Sequence, residues 1–262
     1  MSAGDILEEL TLSRREDARR REEKVPFEKM LCMARSAPEP RDFAAALAAP
    51  GASVIAELKR ASPSEGMIRE DFHPGALAAE LEAAGAVALS VLCEPHRFLG
   101  SEDFLREARS RVRLPVLYKD FISSEYQIAA ARAAGADAVL LIAAVLDDAA
   151  LAGLLGFARS LGIEALVETH DGNEIRRACA TGAKIVGVNC RDLRNFHTDT
   201  ALLEKLVGVI PGGRIRVAES GMHDAAAVAA AQAAGADAFL IGTALMRAPS
   251  PGLKLKELTE DR

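Results

Sequence analysis

One phrase recurs four times along the 262-residue chain: a small-residue turn centred on glycine, followed at once by a β-prone run. Ala84-Gly85-Ala86 leads into Val87-Ala88-Leu89, and Ala134-Gly135-Ala136-Asp137-Ala138 into Val139-Leu140. Thr181-Gly182-Ala183-Lys184 leads into Ile185-Val186, and Ala234-Gly235-Ala236-Asp237-Ala238 into Phe239-Leu240. The four glycines are 50, 47 and 53 residues apart, room for two strand–helix units per repeat. Glycine tolerates the left-handed backbone that closes a helix, so each phrase reads as a helix stop and a strand start. Eight β-prone runs fit this period: Ser53–Leu58, Val87–Leu92, Pro115–Tyr118, Ala138–Ile142, Ala165–Glu168, Ile185–Asn189, Ile215–Ala218 and Ala238–Ile241. The segments between them are rich in Ala, Leu, Glu and Arg and long enough for helices. Such alternation builds right-handed βαβ units and a parallel sheet. The runs are almost continuously apolar, as strands covered on both faces should be. Eight strands close a (β/α)8 TIM barrel. An open doubly wound sheet is the competing architecture, and the unbroken regularity of the units favours closure. The pattern begins at Ser53, which predicts an α/β chain with an N-terminal helical extension over residues 1–50 and a barrel domain over 51–262.

Ahead of the barrel, Ile6, Leu7 and Leu10 give a charged helix an apolar edge, while Arg14 to Lys24 is nearly continuous charge of mixed sign. That run reads as a solvated helix face. Pro38, Pro40 and Pro50 then punctuate a short Ala-rich helix around Phe43 to Leu47. Half of the residues are apolar, too many for a disordered chain. Thirty-two Lys and Arg against 38 Asp and Glu leave a net charge of −6, and aromatics make up 4% with no Trp. Nucleic-acid binding wants a basic face and stacking platforms, so that class is excluded. Four dispersed cysteines (Cys32, Cys93, Cys179, Cys190) form no C-x-x-C pair and read as thiols of a reducing compartment. The first residues lack a secretion signal. The longest apolar run, Ala138 to Leu146, is far below the roughly 20 residues that span a bilayer. The chain is expected to be soluble and cytoplasmic, with no membrane partner.

A closed barrel places its chemistry at the C-terminal ends of the strands. Those ends read Glu57-Leu58-Lys59, Tyr118-Lys119-Asp120, Val167-Glu168, Val188-Asn189-Cys190-Arg191, Glu219-Ser220-Gly221 and Ile241-Gly242-Thr243, with only Glu94 beyond the second strand and nothing titratable at the fourth. Alternation along a strand puts Glu57 and Lys59 on one face. A single Lys or Glu at a strand end is usually a solvated surface charge. Six polar ends converging on one rim point instead to a site for proton transfer, because charges clustered in a partly dry cleft have shifted pKa values. No histidine–carboxylate group has metal-ligand spacing, since His73, His96, His170, His197 and His223 are scattered. His170 alone lies near the rim and reads as structural. Ser220-Gly221 and Gly242-Thr243 fall where backbone N–H groups after the seventh and eighth strands bind phosphate. A sugar phosphate is therefore the expected substrate class, drawn in by Lys59, Lys119 and Arg191.

From Ile55 onward the residues resemble a known family. The run Ile55-Ala56-Glu57-Leu58-Lys59-Arg60-Ala61-Ser62-Pro63-Ser64-Glu65-Gly66 is similar to the signature of the indole-3-glycerol-phosphate synthases. The likeness continues through Ser90-Val91-Leu92, Phe98-Leu99-Gly100-Ser101, Lys119-Asp120-Phe121, Leu166-Val167-Glu168-Thr169-His170, Gly187-Val188-Asn189-Cys190-Arg191-Asp192-Leu193, Glu219-Ser220-Gly221 and Ile241-Gly242. The resemblance implies closure of the indole ring of 1-(2-carboxyphenylamino)-1-deoxyribulose 5-phosphate, with loss of CO2 and water, in tryptophan biosynthesis. It implies no cofactor and no metal, and a substrate that joins a sugar phosphate to an anthranilate ring. By position, Lys119 becomes the general acid of ring closure, Glu168 the base of the dehydration, and Lys59 its proton donor near the phosphate. Glu57 and Asn189 orient the substrate hydroxyls and Lys119, supported by Ser220. Gly221, Gly242 and Thr243 hold the phosphate. Phe98 and Phe121 flank the aromatic ring with Arg191 nearby, and Ser62 with its loop covers the site. Cys93, Cys190 and Thr169 depart from the Thr, Asn and Val expected there. Another sugar-phosphate isomerase or epimerase on the same barrel, or a non-catalytic phosphate-binding paralogue, are the alternatives. The resemblance over residues 1–50 is loose and assigns no substrate contact there. Oligomeric state stays open, a monomer included.

Overall fold

The computed structural model describes residues 3–49, 51–191 and 200–259. Asp192, Leu193 and His197, named above, lie outside the described residues, as do the outermost positions of both predicted segments. Eight parallel strands close into a barrel: β1 (Ser53–Leu58), β2 (Ala88–Leu92), β3 (Val116–Lys119), β4 (Ala138–Ile142), β5 (Glu164–Thr169), β6 (Ile185–Val188), β7 (Ile215–Ala218) and β8 (Ala238–Ile241). Each strand pairs with its sequence neighbours, and β1 closes the ring by pairing both β2 and β8. The predicted strands sit where the sequence placed them, with ends shifted by at most one residue.

Three helices precede the barrel: α1 (Ala3–Lys24), α2 (Phe27–Ser36) and α3 (Phe43–Leu47). The barrel helices are α4 (Pro74–Ala83), α5 (Glu102–Arg111), α6 (Glu125–Ala133), α7 (Asp148–Ser160), α8 (Gly172–Ala180), α9 (Thr200–Gly208) and α10 (Ala225–Ala233). A short α11 (Thr243–Arg247) and then α12 (Pro251–Thr259) follow β8. A two-stranded hairpin, Ala61–Ser62 with Gly66–Met67, follows β1 and was not anticipated from the sequence.

Alternation along each strand divides the apolar residues into two sets, which explains their continuity. Ile55, Leu117, Leu140, Leu166, Val217 and Leu240 belong to the cluster that fills the barrel's interior. Val54, Ala56, Val116, Val139, Val167 and Phe239 belong to the layer beneath the surrounding helices. Phe43 and Leu47 of α3 join the interior cluster, as does Leu10 of α1. Gly85, Gly135, Gly182 and Gly235 all have positive φ (101°, 101°, 78° and 104°), as the recurring phrase requires.

The charged stretch of α1 corrects the expectation of a solvated face. Arg14 forks onto Asp120 just past β3, with Nε–Oδ1 at 2.9 Å and Nη2–Oδ2 at 2.8 Å. Asp17 meets His96 at 2.7 Å, and Arg21 pairs with Glu102 at the start of α5. Residues 14, 17 and 21 share one helical stripe, so a run that looks uniform in sequence has a docked face and a wet one. Arg19 and Glu16 occupy the wet one.

Candidate active site

Inward positions of the strands converge at the barrel's mouth. Ile55, Glu57 and Lys59 follow one another at two-residue intervals, so the face that fills the core at Ile55 delivers charge at its upper end. The same logic carries Leu117 to Lys119, Leu166 to Glu168, and Val217 to Glu219. A cavity of about 440 Å³ opens above them. Its wall takes in Ser62, Phe98, Phe121, Asn189, Arg191, Ser220, Gly221, Gly242 and Thr243 beside Glu57, Lys59, Lys119 and Glu168. Every site residue expected from the sequence is thus brought to one cavity.

At the floor of the cavity, Lys119 is surrounded by carboxylates. Its Nζ lies 3.4 Å from Glu57 Oε2, 3.4 Å from Glu219 Oε2 and 3.9 Å from Glu168 Oε2. Lys59 Nζ takes the other oxygen of Glu57 at 2.6 Å. Burial penalises the Lys119 ammonium, yet Glu57, Glu219 and Glu168 outweigh it and hold the group above the ordinary lysine range. Glu57 is also fully buried, but Lys59 and Lys119 keep it below the usual carboxylate range. Glu219 goes the other way: burial and the neighbouring Glu168 push its carboxyl up, and Lys119 only partly opposes them. The site therefore holds a charged lysine, a charged carboxylate beside it, and a carboxyl inclined to keep its proton.

The walls are built by quieter contacts. Ser220 Oγ donates to Asn189 Oδ1 at 2.6 Å, and the same oxygen accepts the Arg191 N–H at 3.2 Å. Phe98 and Phe121 face each other with ring centroids 6.1 Å apart and planes tilted by 41°. Phe98 owes its place to Glu94, a fully buried carboxylate that accepts the N–H groups of His96, Arg97 and Phe98 at 2.7 to 2.8 Å. Ser62 Oγ lies 3.2 Å from Ser64 Oγ and accepts the Glu65 N–H, which fixes the turn of the hairpin. Glu65 in turn pairs with Arg247 of α11. Gly221 has a φ of +86°, and Gly242 caps α11, leaving Thr243 Oγ1 buried without a hydrogen-bond partner among the described residues.

Several contributors were not assigned from the sequence. Glu219 was visible as a polar strand end, and its two-residue spacing from the inward Val217 is the signal that identifies it. Ile6, Leu7 and Leu10 line the cavity from α1, where nothing in the barrel's own periodicity points. The expected cationic mouth is also moderated, because Glu57, Glu168 and Glu219 stand among Lys59 and Lys119. Among the described residues, no group of three or more His, Cys, Asp and Glu is arranged to hold a metal ion. No described helix is long and apolar enough to cross a membrane.

Comparison with known proteins adds an independent line. The family model described as "Indole-3-glycerol phosphate synthase" matches residues 7–258. The indole-3-glycerol phosphate synthase 2 of Streptomyces coelicolor is 50% identical over 230 residues, covering 88% of this chain and 89% of that protein. The indole-3-glycerol phosphate synthase of Mycobacteroides abscessus is 45% identical over 251 residues, covering 96% and 92%. Among solved structures, a 3-hexulose-6-phosphate synthase superposes with a TM-score of 0.60 at 20% identity, covering 79% of this chain and 97% of that one. The orotidine 5'-phosphate decarboxylase of Pyrococcus horikoshii gives 0.59 at 15% identity, covering 78% and 96%. At such identities these structures speak to the fold alone.

Proposed function

The chain belongs to the indole-3-glycerol phosphate synthase family, and from that membership we infer that it closes the indole ring of 1-(2-carboxyphenylamino)-1-deoxyribulose 5-phosphate as a carboxy-lyase of tryptophan biosynthesis. The observation that carries the reading of its site is Lys119, a part-buried ammonium within 3.4 to 3.9 Å of three carboxyl groups at the cavity floor. In ring closure, the aryl carbon bearing the carboxylate bonds to the ribulose carbonyl carbon, and the carbonyl oxygen takes a proton from Lys119. A fixed cation is suited to the charge that develops on that oxygen. The carbon–carboxylate bond then breaks, CO2 leaves, and its electrons restore the aromatic ring. In the dehydration, Lys59 protonates the new hydroxyl, which departs as water, while Glu168 removes a proton from the ring methylene. One proton is consumed overall, matching the loss of the carboxylate's charge.

The substrate is long and flexible, so it must be bent before it can react. Anchors at the two ends enforce the near-attack shape. Gly221, Gly242 and Thr243 take the phosphate at one end, with Lys59 close by. Phe98 and Phe121 flank the anthranilate ring at the other, with Arg191 nearby. Glu57 and Asn189 hold the hydroxyls and Lys119, Ser220 supports Asn189, and Ser62 with its hairpin covers the top. Purified protein given the substrate is expected to release a product with indole fluorescence. Lys119→Ala should lower kcat by about 10²- to 10⁴-fold, the range general acid catalysis supplies. Turnover that survives this change, or none by the folded wild type, refutes the reading.

A further inference from the structure

Three carboxylates crowd Lys119, and like charges at such range do not all ionise together. The dehydration needs one particular member, Glu168, to stay charged and free to accept a proton. Lys119 alone does not single it out, since Glu57 and Glu219 are nearer to that ammonium. A second cationic partner sets it apart from Glu219, as Lys59 does for Glu57. Glu168 Oε1 is met by His170 Nε2 at 3.3 Å, while Lys119 approaches its other oxygen.

The imidazole is itself held in place. Its Nδ1 lies 3.1 Å from Glu174 Oε2, and that same oxygen accepts the His170 backbone N–H at 2.8 Å. Glu174 sits in the first turn of α8, where Asp171 accepts the N–H groups of Asn173 and Glu174 at 2.7 and 2.8 Å. The ring is thus clamped by both backbone and side chain, with Nε2 within ion-pair distance of Glu168 though not in hydrogen-bond alignment with it.

The geometry points to a positioning relay: His170, oriented by Glu174, fixes Glu168 as the charged proton acceptor of the site. The inference rests on Glu168 being the base of the dehydration. The ionisable groups acting on His170 are Glu168 from β5 and Glu174 from α8, with Lys119 and Glu219 behind Glu168. Burial disfavours the imidazolium, but the two carboxylates prevail and raise it to about 10. Burial likewise disfavours the Glu168 carboxylate, and His170 with Lys119 holds it below the usual range. A neutral ring serving only to pack the strand end would leave the ionisation of Glu168 untouched.

The test is kcat/KM from pH 4 to 9 for the wild type, His170→Gln, Glu174→Gln and Glu168→Gln. His170→Gln should bring into this range an acid limb that the wild type keeps below it, a loss of about twofold or more at pH 4 that recovers at higher pH, with KM nearly unchanged. Glu174→Gln, which keeps the imidazole, should move it the same way by less. A rate that falls equally at every pH, a change in KM alone, or unmoved profiles in both variants overturns the relay. Should the variants fail to fold, histidine-ring ¹⁵N resonances of the wild type decide: a His170 ring already neutral at pH 8 overturns it, and a doubly protonated one upholds it. Wild-type activity in Glu168→Gln is a different result, because it removes the base assignment itself.

Discussion

Gly187 shows how much of the site is decided by single atoms that are absent. It occupies an inward position on β6, in register with Glu168 of β5 and Val217 of β7. A methyl group there would overlap the Glu219 carboxylate and press on Leu166. Gly242 stands in the same relation to Glu57, so it clears the path of a carboxylate as well as offering backbone to a phosphate. Neither role can be read from a lone glycine in sequence, because the partner lies on another strand. Thr169 and Cys93 show the opposite case, departures from the family pattern that the structure absorbs. Thr169 Oγ1 donates to the Gly187 carbonyl at 2.6 Å, and Cys93 Sγ lies 3.4 Å from the Val91 carbonyl. Gly187→Ala should cost about 1 to 3 kcal/mol of stability, the usual range for overpacking, and lower kcat by displacing Glu219 from Lys119. Adding Glu219→Ala should restore the stability without restoring the rate. Denaturant melts of both singles and the double give the coupling, and simple additivity would show that the two residues do not collide.

At the scale of elements, α1 is the piece that periodicity misreads. Its apolar edge was legible from Ile6, Leu7 and Leu10, but what that edge meets was not, since the cavity is assembled by strands far along the chain. Its charges were harder still: one stripe is docked and the other wet, and composition averages the two. Arg14 is the principal fastening, because its partner Asp120 is buried between Lys119 and Phe121 in sequence. Burial pushes the Asp120 carboxyl up, and Arg14 is the largest influence opposing it. Removing one partner of such a pair leaves an uncompensated buried group, which costs about 3 to 5 kcal/mol. Arg14→Ala should therefore loosen α1 and disturb Phe121, raising KM more than it lowers kcat. Faster proteolysis within α1, measured beside the kinetics, checks the structural half. An unchanged cleavage rate and KM would show that the ion pair fastens nothing.

For the whole molecule, the repeat that suggested a barrel has a physical counterpart in the hydrogen bonds. Asp137, just before β4, accepts the N–H of Val116 on β3 at 2.8 Å, and Asp237, just before β8, accepts that of Arg216 on β7 at 2.9 Å. Strand order was legible because each pair of units carries its own stop signal and each strand its own buried face. The charge balance across the site was not, because it depends on which side chains meet over the barrel's mouth. That balance sets how stability responds to pH. Asp17 is lowered to about 2, since His96, Arg20 and Arg14 outweigh its burial, and Glu57 is lowered by Lys59 and Lys119. Their stabilisation is complete above the ordinary carboxylate pKa of about 4 and is lost as pH falls through the depressed values. His170 and Glu219 are raised, so their contributions are complete below their unfolded pKa values and are lost as pH rises through the folded ones. For His170 that window runs from 6.5 to about 10. Both sets together place the maximum of Tm in mildly acidic solution, between about pH 4.5 and 6.5, with a decline towards pH 10. Thermal melts across pH 3 to 10 should show this asymmetric dome, and His170→Gln should flatten its alkaline side. A Tm that climbs from pH 6 to 9 would mean that the imidazole is neutral in the folded protein.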